Sequence, residues 1–220
     1  MSSVAERRQK ILDRISRAAT VAKRDPAEVK LIAVSKGRSM DDIQWLIDAG
    51  QRDFGENRVQ EALGKWPALL ARYPDVHLHG IGRLQSNKAD DAVKLFDTIQ
   101  SLDRRSLLDA LVKEAGKAGR APNVYVQVNI GDEEQKGGCS ISEVGNFVEA
   151  VRASPLPLAG LMAIPPLDLE SAPFFALLAK HARRHDVAGL SIGMSGDFES
   201  AVMLGATAVR IGTALFEDES

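Results

Sequence analysis

A lysine at the end of an apolar run is the residue best placed in this sequence for covalent chemistry. Lys36 follows the run from Val29 to Ser35, which has the composition of a β-strand. An unprotonated lysine amine attacks aldehydes to form a Schiff base, and partial burial among strand residues would favour that uncharged form. The position fits a solvated lysine at a strand end as well.

Two segments near the end of the chain have residue types that bind phosphate. Ser195 is expected to cap a helix, and Gly196 lets a backbone N–H approach an anion at the positive helix terminus. Gly212 and Thr213 follow a later strand and can complete the site. Both pairs also fit ordinary turns, and Asp197 would have to turn away from a phosphate. A Schiff-base lysine with a phosphate site predicts pyridoxal 5′-phosphate (PLP) as cofactor, the alternative being a phosphate site without PLP.

The elements that carry these residues alternate between strands and helices. The predicted strands are Val29–Ser35, Arg52–Gly55, His77–Gly82, Asp97–Ser101, Val124–Val128, Leu158–Ile164, Leu190–Gly193 and Ala208–Ile211. The predicted helices are 4–22, 40–49, 57–73, 87–95, one capped by Asp103, one begun by a Ser140–Glu143 capping box, 170–185 and 197–204. This order predicts an α/β fold, a (β/α)8 TIM barrel with an extra N-terminal helix, in which residues 1–220 form one domain.

Arg210 is predicted to face the inside of this barrel, because side chains alternate along its strand between Val209 and Ile211. There it could donate to the pyridine nitrogen of PLP, which would stay unprotonated because arginine keeps its own proton. An unprotonated ring is a poor electron sink, which disfavours transaminase or decarboxylase chemistry. The alternative is an outward arginine paired with a carboxylate.

Four further polar residues are candidates for the site or for a metal ion. Glu56 and Asn57 follow the second strand and could position the cofactor ring, although Asn57 also fits a helix cap. His77 and His79 share a strand face, but the sequence offers no third ligand, and a structural role is the simpler interpretation.

Bulk composition narrows the functional classes. The 220 residues carry a net charge of −2 and 5% aromatic residues, which argues against binding to nucleic acid or to an anionic membrane. The single cysteine, Cys139, excludes an internal disulfide and a multi-cysteine metal site. The sequence shows no signal peptide and no membrane-spanning segment, and no long apolar face stands out. We therefore expect a cytoplasmic monomer.

Several strings in the chain resemble, in order, those of the YggS/PROSC group of PLP-binding (PLP homeostasis) proteins. The strings are Ala33-Val34-Ser35-Lys36, Phe54 to Glu61, Ile81 to Lys88, Val126 to Ile130, Lys136-Gly137-Gly138, Gly160 to Ile164, Gly193 to Asp197 and Gly205 to Phe216. The resemblance covers nearly the whole chain and implies a barrel similar to the N-terminal domain of alanine racemase. Leu78-His79-Gly80 departs from the usual Trp-His-Phe, which predicts looser packing there.

The resemblance implies that Lys36 holds PLP as a Schiff base in a non-catalytic protein of vitamin B6 homeostasis. The residues expected to contact PLP are Lys36, Asn57, Met194, Ser195, Gly196, Arg210, Ile211, Gly212 and Thr213. Apo forms of PLP-dependent enzymes are the expected partners. The alternative is a racemase with Lys36 as one base. The second base in alanine racemases is a tyrosine from another domain, whereas Tyr73 is predicted at a helix end and Tyr125 near the start of the fifth strand, both away from the carboxyl ends of the strands.

Overall fold

Eight parallel strands close into a barrel. The structure, a computed structural model, describes residues 3–217. The strands are β1 Lys30–Val34, β2 Asp53–Glu56, β3 His77–Gly80, β4 Thr98–Leu102, β5 Asn123–Gln127, β6 Leu158–Met162, β7 Gly189–Ser191 and β8 Ala208–Ile211. They pair in chain order, and β8 returns to β1 with Arg210 opposite Ile32. The predicted barrel is confirmed.

Helices surround the barrel on the outside. In the described part of the chain they are α1 Val4–Val21, α2 Met40–Asp48, α3 Val59–Leu63, α4 Trp66–Arg72, α5 Ala89–Leu95, α6 Arg105–Ala118, α7 Val144–Arg152, α8 Ala172–Arg184, α9 Phe198–Met203 and α10 Thr213–Phe216. The extra N-terminal helix is α1, which begins at a capping box of Ser3 and Glu6 and contacts α9 through an Arg14–Glu199 ion pair at 3.0 Å. The short helix α10 has no counterpart in the predicted elements.

Residues 57–73 form two helices instead of the predicted one. Helix α3 ends at Leu63 and α4 begins at Trp66. Pro67 explains the break, because it has no N–H to donate to the carbonyl of Leu63 and its ring crowds that group. The break leaves Lys65 directly before α4, with its Nζ atom 2.9 Å from the carbonyl oxygen of Ser35 at the end of β1.

Two of the helix caps predicted from sequence, at Ser140 and at Asp103, have opposite outcomes. The capping box of Ser140 and Glu143 is confirmed, and it opens a short 3-10 turn before α7. The Asp103 cap is wrong, because Arg104 holds the cap position and the Asp103 carboxylate instead accepts a hydrogen bond from the Arg104 guanidinium at 2.6 Å.

Barrel packing around Gly80 is tight, in contrast to the predicted looseness. The ring of Phe96, only 2% exposed, lies 2.8 Å from the point where a Cβ atom on Gly80 would stand. A real Cβ atom could not approach that closely, so Phe96 fills the volume that a larger residue at position 80 would need. The departure from the family pattern is therefore compensated within the barrel wall.

Candidate cofactor site

The residues expected to contact a cofactor follow the carboxyl ends of strands, which all lie at one end of a parallel barrel. We call this end the barrel mouth. Lys36 lies two residues after β1, Asn57 directly after β2, Met194–Gly196 in the loop after β7, Arg210 and Ile211 at the end of β8, and Gly212–Thr213 directly after it.

Lys36 lies on an exposed turn. The predicted partial burial is wrong, because β1 ends at Val34 and Lys36 belongs to the turn that follows. The next residue, Gly37, has a φ of 68°, a left-handed conformation that glycine adopts without steric penalty. Among residues 3–217 the Lys36 amine makes no hydrogen bond or ion pair, so it is open to an incoming aldehyde.

A buried group of side chains, which we call the Glu56 cluster, lies behind this turn. Glu56 is completely buried at the end of β2, and its Oε1 atom accepts hydrogen bonds from Ser35 Oγ at 2.6 Å and Trp66 Nε1 at 2.9 Å. Lys65 Nζ completes the cluster with an ion pair to the same oxygen at 2.8 Å. Because Ser35 directly precedes Lys36, the cluster fixes the backbone from which Lys36 projects.

Glu61 extends this anchoring to the other side of Lys36. Its Oε1 atom accepts a hydrogen bond from the Gly37 N–H at 2.5 Å and pairs with Lys65 Nζ at 3.1 Å. The hydrogen bond from Gly37 is the main reason why the pKa of Glu61 lies below its usual value. The backbone is therefore held on both sides of Lys36, whereas the Lys36 side chain is unrestrained.

Glu56 does not act as the ring contact that its sequence position suggested. Its second oxygen, Oε2, is buried without a hydrogen-bond partner among the described residues, as is the Ser101 hydroxyl. Both residues line a cavity of about 10 Å³, which by this measure holds about one water molecule. A cofactor ring does not fit there, so the visible role of Glu56 is to hold the cluster.

Asn57 is half-buried and lines the same cavity. The helix-cap alternative is wrong, because Arg58 occupies the cap position of α3 and makes no side-chain capping bond. The backbone of Asn57 lies against Gly82, where an added Cβ atom would stand 2.2 Å from the Asn57 carbonyl oxygen. This close approach requires glycine at position 82.

Arg210 faces the inside of the barrel and is only 4% exposed. It donates from Nη1 to Ser191 Oγ at 2.6 Å and from Nη2 to the Ala163 carbonyl at 3.0 Å. The outward, carboxylate-paired alternative is therefore wrong. Burial lowers the pKa of Arg210 to about 10, so the group remains cationic at neutral pH. The neighbouring Ile211 side chain belongs to the apolar core, and only its backbone is available to the mouth.

The turn at Ser195 and Gly196 offers free backbone donors. Their N–H groups donate to no acceptor among residues 3–217, and Gly196 is exposed. The prediction that Ser195 caps the helix is wrong, because α9 begins only at Phe198 and Asp197 holds the cap position. Asp197 Oδ1 accepts a hydrogen bond from the Met194 N–H at 2.6 Å, which directs this carboxylate toward the backbone of its own turn.

Gly212 brings the end of β8 beside the end of β1. A Cβ atom built on Gly212 would stand 3.5 Å from Cβ of Val34, which is two residues before Lys36. Thr213 is exposed and starts α10. The predicted phosphate residues after β8 are thus near the chain segment that leads into the Lys36 turn.

The residues at the mouth fit the chemical groups of PLP. Lys36 supplies an unpaired amine for an aldehyde, and the Ser195–Gly196 turn supplies N–H donors for a phosphate. A guanidinium has five N–H donors, and acceptors within residues 3–217 bind two of those on Arg210. A pyridine nitrogen is an acceptor of the kind that the remaining donors require.

Sequence reasoning missed the residues that hold Lys36 and Arg210 in place. Glu61 and Lys65 are four residues apart, the spacing at which two side chains of one helix form an ion pair, and both come before Pro67 in the sequence. Ser191 and Gln100 are polar residues inside predicted strands, a position that requires a buried hydrogen-bond partner. Neither signal indicates that these side chains contact the Lys36 turn or Arg210.

The two histidines of β3 lie in different environments. His77 is exposed, whereas His79 is buried, with Nε2 at 3.0 Å from Asp53 Oδ1 and Nδ1 at 3.2 Å from Gln100 Nε2. No group of three or more His, Cys, Asp or Glu residues within 3–217 is arranged to hold a metal ion. In the same part of the chain, no helix is both long enough and apolar enough to cross a membrane.

Comparison with known proteins defines the class of this barrel. The sequence profile described as "Alanine racemase, N-terminal domain" matches residues 7–220. The solved alanine racemase of Clostridium difficile 630 aligns with a TM-score of 0.68 at 14% identity, covering 94% of this chain and 59% of that chain. Identity this low speaks for the fold alone. The chain is a barrel of the alanine racemase N-terminal domain class.

Relatives of nearly equal length define the family within this class. A protein of Pseudomonas aeruginosa named pyridoxal phosphate homeostasis protein is 44% identical over 98% of this chain and 96% of its own length. The PipY protein of Synechococcus elongatus PCC7942, solved with PLP bound, is 38% identical with a TM-score of 0.78, covering 92% of this chain and 99% of that chain. The chain belongs to the family of pyridoxal phosphate homeostasis proteins.

Proposed function

We propose that this chain is a single-domain, non-catalytic PLP-binding protein that holds the cofactor on Lys36 and serves intracellular PLP homeostasis. The observation that carries the proposal is Arg210, a buried cation at the barrel mouth whose described hydrogen-bond partners are both neutral. Such a group needs a further acceptor, and the pyridine nitrogen of PLP is one. The family membership supports the same conclusion.

Lys36 would hold PLP reversibly. Its amine nitrogen adds to the aldehyde carbon of PLP and one water molecule leaves, and addition of water reverses the bond. The exposure of Lys36 supports release as well as capture, because water and other amines can reach it. Apo forms of PLP-dependent enzymes are accordingly proposed as recipients, with this protein acting as a monomer in the cytoplasm.

Arg210 disfavours transaminase or decarboxylase chemistry. When bound, PLP supplies an electron sink for reactions at amino-acid carbons, and the sink is strong only when the ring nitrogen is protonated. Arg210 can only donate to that nitrogen, so the nitrogen would keep its lone pair for the hydrogen bond. Ser195, Gly196, Gly212 and Thr213 would surround the phosphate, with Met194, Asn57 and the Ile211 backbone beside the cofactor.

The positions of the two tyrosines disfavour the racemase alternative. A second acid/base would have to lie at the mouth, on the face of the cofactor opposite Lys36. Tyr125 lies inside β5 with its ring against Gly160 of β6, and its side chain is near Thr207, the residue before β8, on the side of the barrel away from the mouth. Tyr73 lies at the end of α4 and bonds to Gln44 on α2. Neither tyrosine of the described chain is available as a second base.

Borohydride trapping tests the proposal. The protein is mixed with PLP, its visible spectrum is recorded, the C=N bond is reduced, and the labelled peptide is mapped. We expect a visible band and a pyridoxyl phosphate label on Lys36, both lost in Lys36→Ala and kept in Lys94→Ala, which removes an exposed lysine on α5. A label spread over surface lysines, or no band, would refute the proposed function. Amino-acid racemisation by the loaded protein at enzymatic rates would favour the racemase instead.

A further inference from the structure

A continuous line of hydrogen bonds crosses the barrel interior and ends at Arg210. Arg210 Nη1 donates to Ser191 Oγ at 2.6 Å, and Ser191 Oγ donates to Gln100 Oε1 at 2.6 Å. Gln100 Nε2 lies 3.2 Å from His79 Nδ1, and His79 Nε2 lies 3.0 Å from Asp53 Oδ1. We call these five residues the interior chain.

The interior chain passes through the middle of the barrel. Ser191 lies on β7 and Gln100 on β4, with β5 and β6 between them in the closed strand order. A direct bond between these side chains must therefore cross the interior, and both residues are completely buried. Asp53 is the first residue of β2, so the interior chain runs from the amino end of the barrel to the mouth.

The residues at the two ends of the interior chain determine which group donates in each of its hydrogen bonds. Arginine can only donate and an ionised aspartate can only accept. Ser191 accepts from Arg210 and has one hydrogen of its own, which it gives to Gln100 Oε1. The amide nitrogen of Gln100 then faces His79 Nδ1 as a donor, so Nδ1 must be bare and Nε2 must carry the hydrogen that goes to Asp53.

The environment of His79 supports this neutral form. Burial lowers the pKa of His79 more than the neighbouring Asp53 carboxylate raises it. A protonated ring would carry hydrogens on both nitrogens, and one of them would face the Gln100 amide donor. Asp53 stays ionised, because hydrogen bonds from His79 and Lys30 lower its pKa despite the opposing effect of burial.

We propose that the interior chain is a positioning device that fixes the guanidinium plane of Arg210 at the barrel mouth. The identity of the acceptor that Arg210 meets, the pyridine nitrogen of PLP, rests on the proposed function. Ser191, Gln100 and His79 are positioning residues, since each acts on Arg210 only through the next. The anion at the other end of the interior chain, Asp53, is paired with Lys30 at 2.9 Å and does not compete for the free donors of Arg210.

Two hydrogen bonds fix the orientation of the guanidinium plane, whereas a single hydrogen bond does not. Arg210 is held by Ser191 Oγ and by the Ala163 carbonyl. Removal of the Ser191 hydroxyl leaves only the carbonyl contact, about which the guanidinium can turn. Loss of one buried hydrogen bond that orients a binding group is expected to weaken PLP binding by about tenfold.

The first test is the tautomer of His79 in the cofactor-free protein. Nitrogen-15 NMR at pH 7 distinguishes the ring nitrogens of the four histidines, and His79 is assigned by its loss in His79→Gln. We expect hydrogen on Nε2 and a bare Nδ1. Hydrogen on Nδ1, alone or on both nitrogens, would overturn the proposal. This measurement uses the unaltered chain, so it does not depend on whether a variant folds.

The second test measures the effect on the bound cofactor. Ser191→Ala should raise the Kd for PLP about tenfold and shift its visible absorption band, because the hydrogen bond to the ring changes. The matched control is Thr98→Val, a buried residue of β4 without a side-chain hydrogen bond in the described structure. An unchanged Kd and spectrum in Ser191→Ala, or equal changes in Thr98→Val, would overturn the proposal.

The two tests separate this inference from the proposed function. If PLP does not bind the unaltered protein, the proposed function fails, while the hydrogen positions on His79 still decide the direction of the interior chain. If PLP binds Lys36 but His79 carries hydrogen on Nδ1, the proposed function stands and the positioning device is refuted.

Discussion

The two sides of the barrel mouth hold their functional groups in opposite ways. On the β1–β2 side, Glu56 and Lys65 form a buried ion pair that fixes the backbone around Lys36 and leaves its side chain free. On the β7–β8 side, the hydroxyl of Ser191 holds the side chain of Arg210 directly. One side anchors the main chain of its functional residue, and the other anchors the functional group itself.

The difference matches what each group would have to do. A lysine that forms and releases a covalent bond needs a side chain that can move, on a backbone that stays in place. A donor to a ring nitrogen needs a fixed direction, which neighbouring hydrogen bonds provide. The two devices also differ in energy, because breaking a buried ion pair leaves an uncompensated charge, whereas breaking the bonds of Gln100 to Ser191 and His79 leaves only unpaired polar groups.

Among the variants that test this comparison, Lys65→Met should cause the largest loss of stability. It removes the cation beside the fully buried Glu56 carboxylate, and breaking such a pair destabilises a protein by about 3–5 kcal/mol. The measurement is the free energy of unfolding in urea, with amide exchange at Gly37 as a local probe, since Lys65 also binds Glu61.

Two variants control this prediction. Adding Glu56→Gln to Lys65→Met should recover part of the stability, because the uncompensated charge is gone. Lys94→Met, which breaks an exposed ion pair with Asp90, should leave the free energy of unfolding nearly unchanged, because solvent screens such a pair. If Lys65→Met changes stability as little as Lys94→Met, the ion pair does not hold the Lys36 turn and the comparison fails.

Gln100→Leu should cause a smaller loss of stability than Lys65→Met. Leucine has a similar size but leaves Ser191 and His79 without their partners in the interior chain. Unpaired buried polar groups are expected to lower the free energy of unfolding by about 1–3 kcal/mol. The measurement is the free energy of unfolding of Gln100→Leu in urea, with Thr98→Val as the control. A loss as large as that of Lys65→Met would contradict the distinction between a charged and a neutral anchor.

The fold was largely predictable because its periodicity is local. Strand β8 has the predicted bounds of Ala208–Ile211, and the alternation along it predicts the inward direction of Arg210. One failure has a single cause in the sequence, because Pro67 divides the helix predicted over 57–73. Lys36 was expected among strand side chains, and the earlier end of β1 places it on a turn instead.

The anchors of the site could not be predicted, because each depends on contacts between distant segments. Gln100 and Ser191 are 91 residues apart and meet only when the barrel closes. Lys65 reaches Ser35 from the break between α3 and α4, where it directly precedes α4. Sequence patterns identify residues that will be buried and polar, but the identity of the partner follows from the closed geometry.

The pH dependence of stability gives the smallest expected effect and tests the neutral side of the comparison directly. The pKa of His79 in the folded protein lies below its ordinary value of 6.5, chiefly through burial. The unfolded chain therefore takes up a proton near pH 6.5 that the folded protein does not, and the free energy of unfolding should fall as the pH drops below that value, by at most about 1.4 kcal/mol per pH unit. Asp53 acts in the same direction but in a more acidic range, since its lowered pKa adds stability that is lost only near and below its ordinary value of 3.8.

Urea unfolding from pH 7.5 to pH 5 should show a steeper fall in the unaltered protein than in His79→Gln. His77→Gln, which changes an exposed histidine of the same strand, should behave like the unaltered protein. Parallel curves for the unaltered protein and His79→Gln would mean that the interior chain tolerates a charged His79, and the neutral anchor of Arg210 would lose its basis.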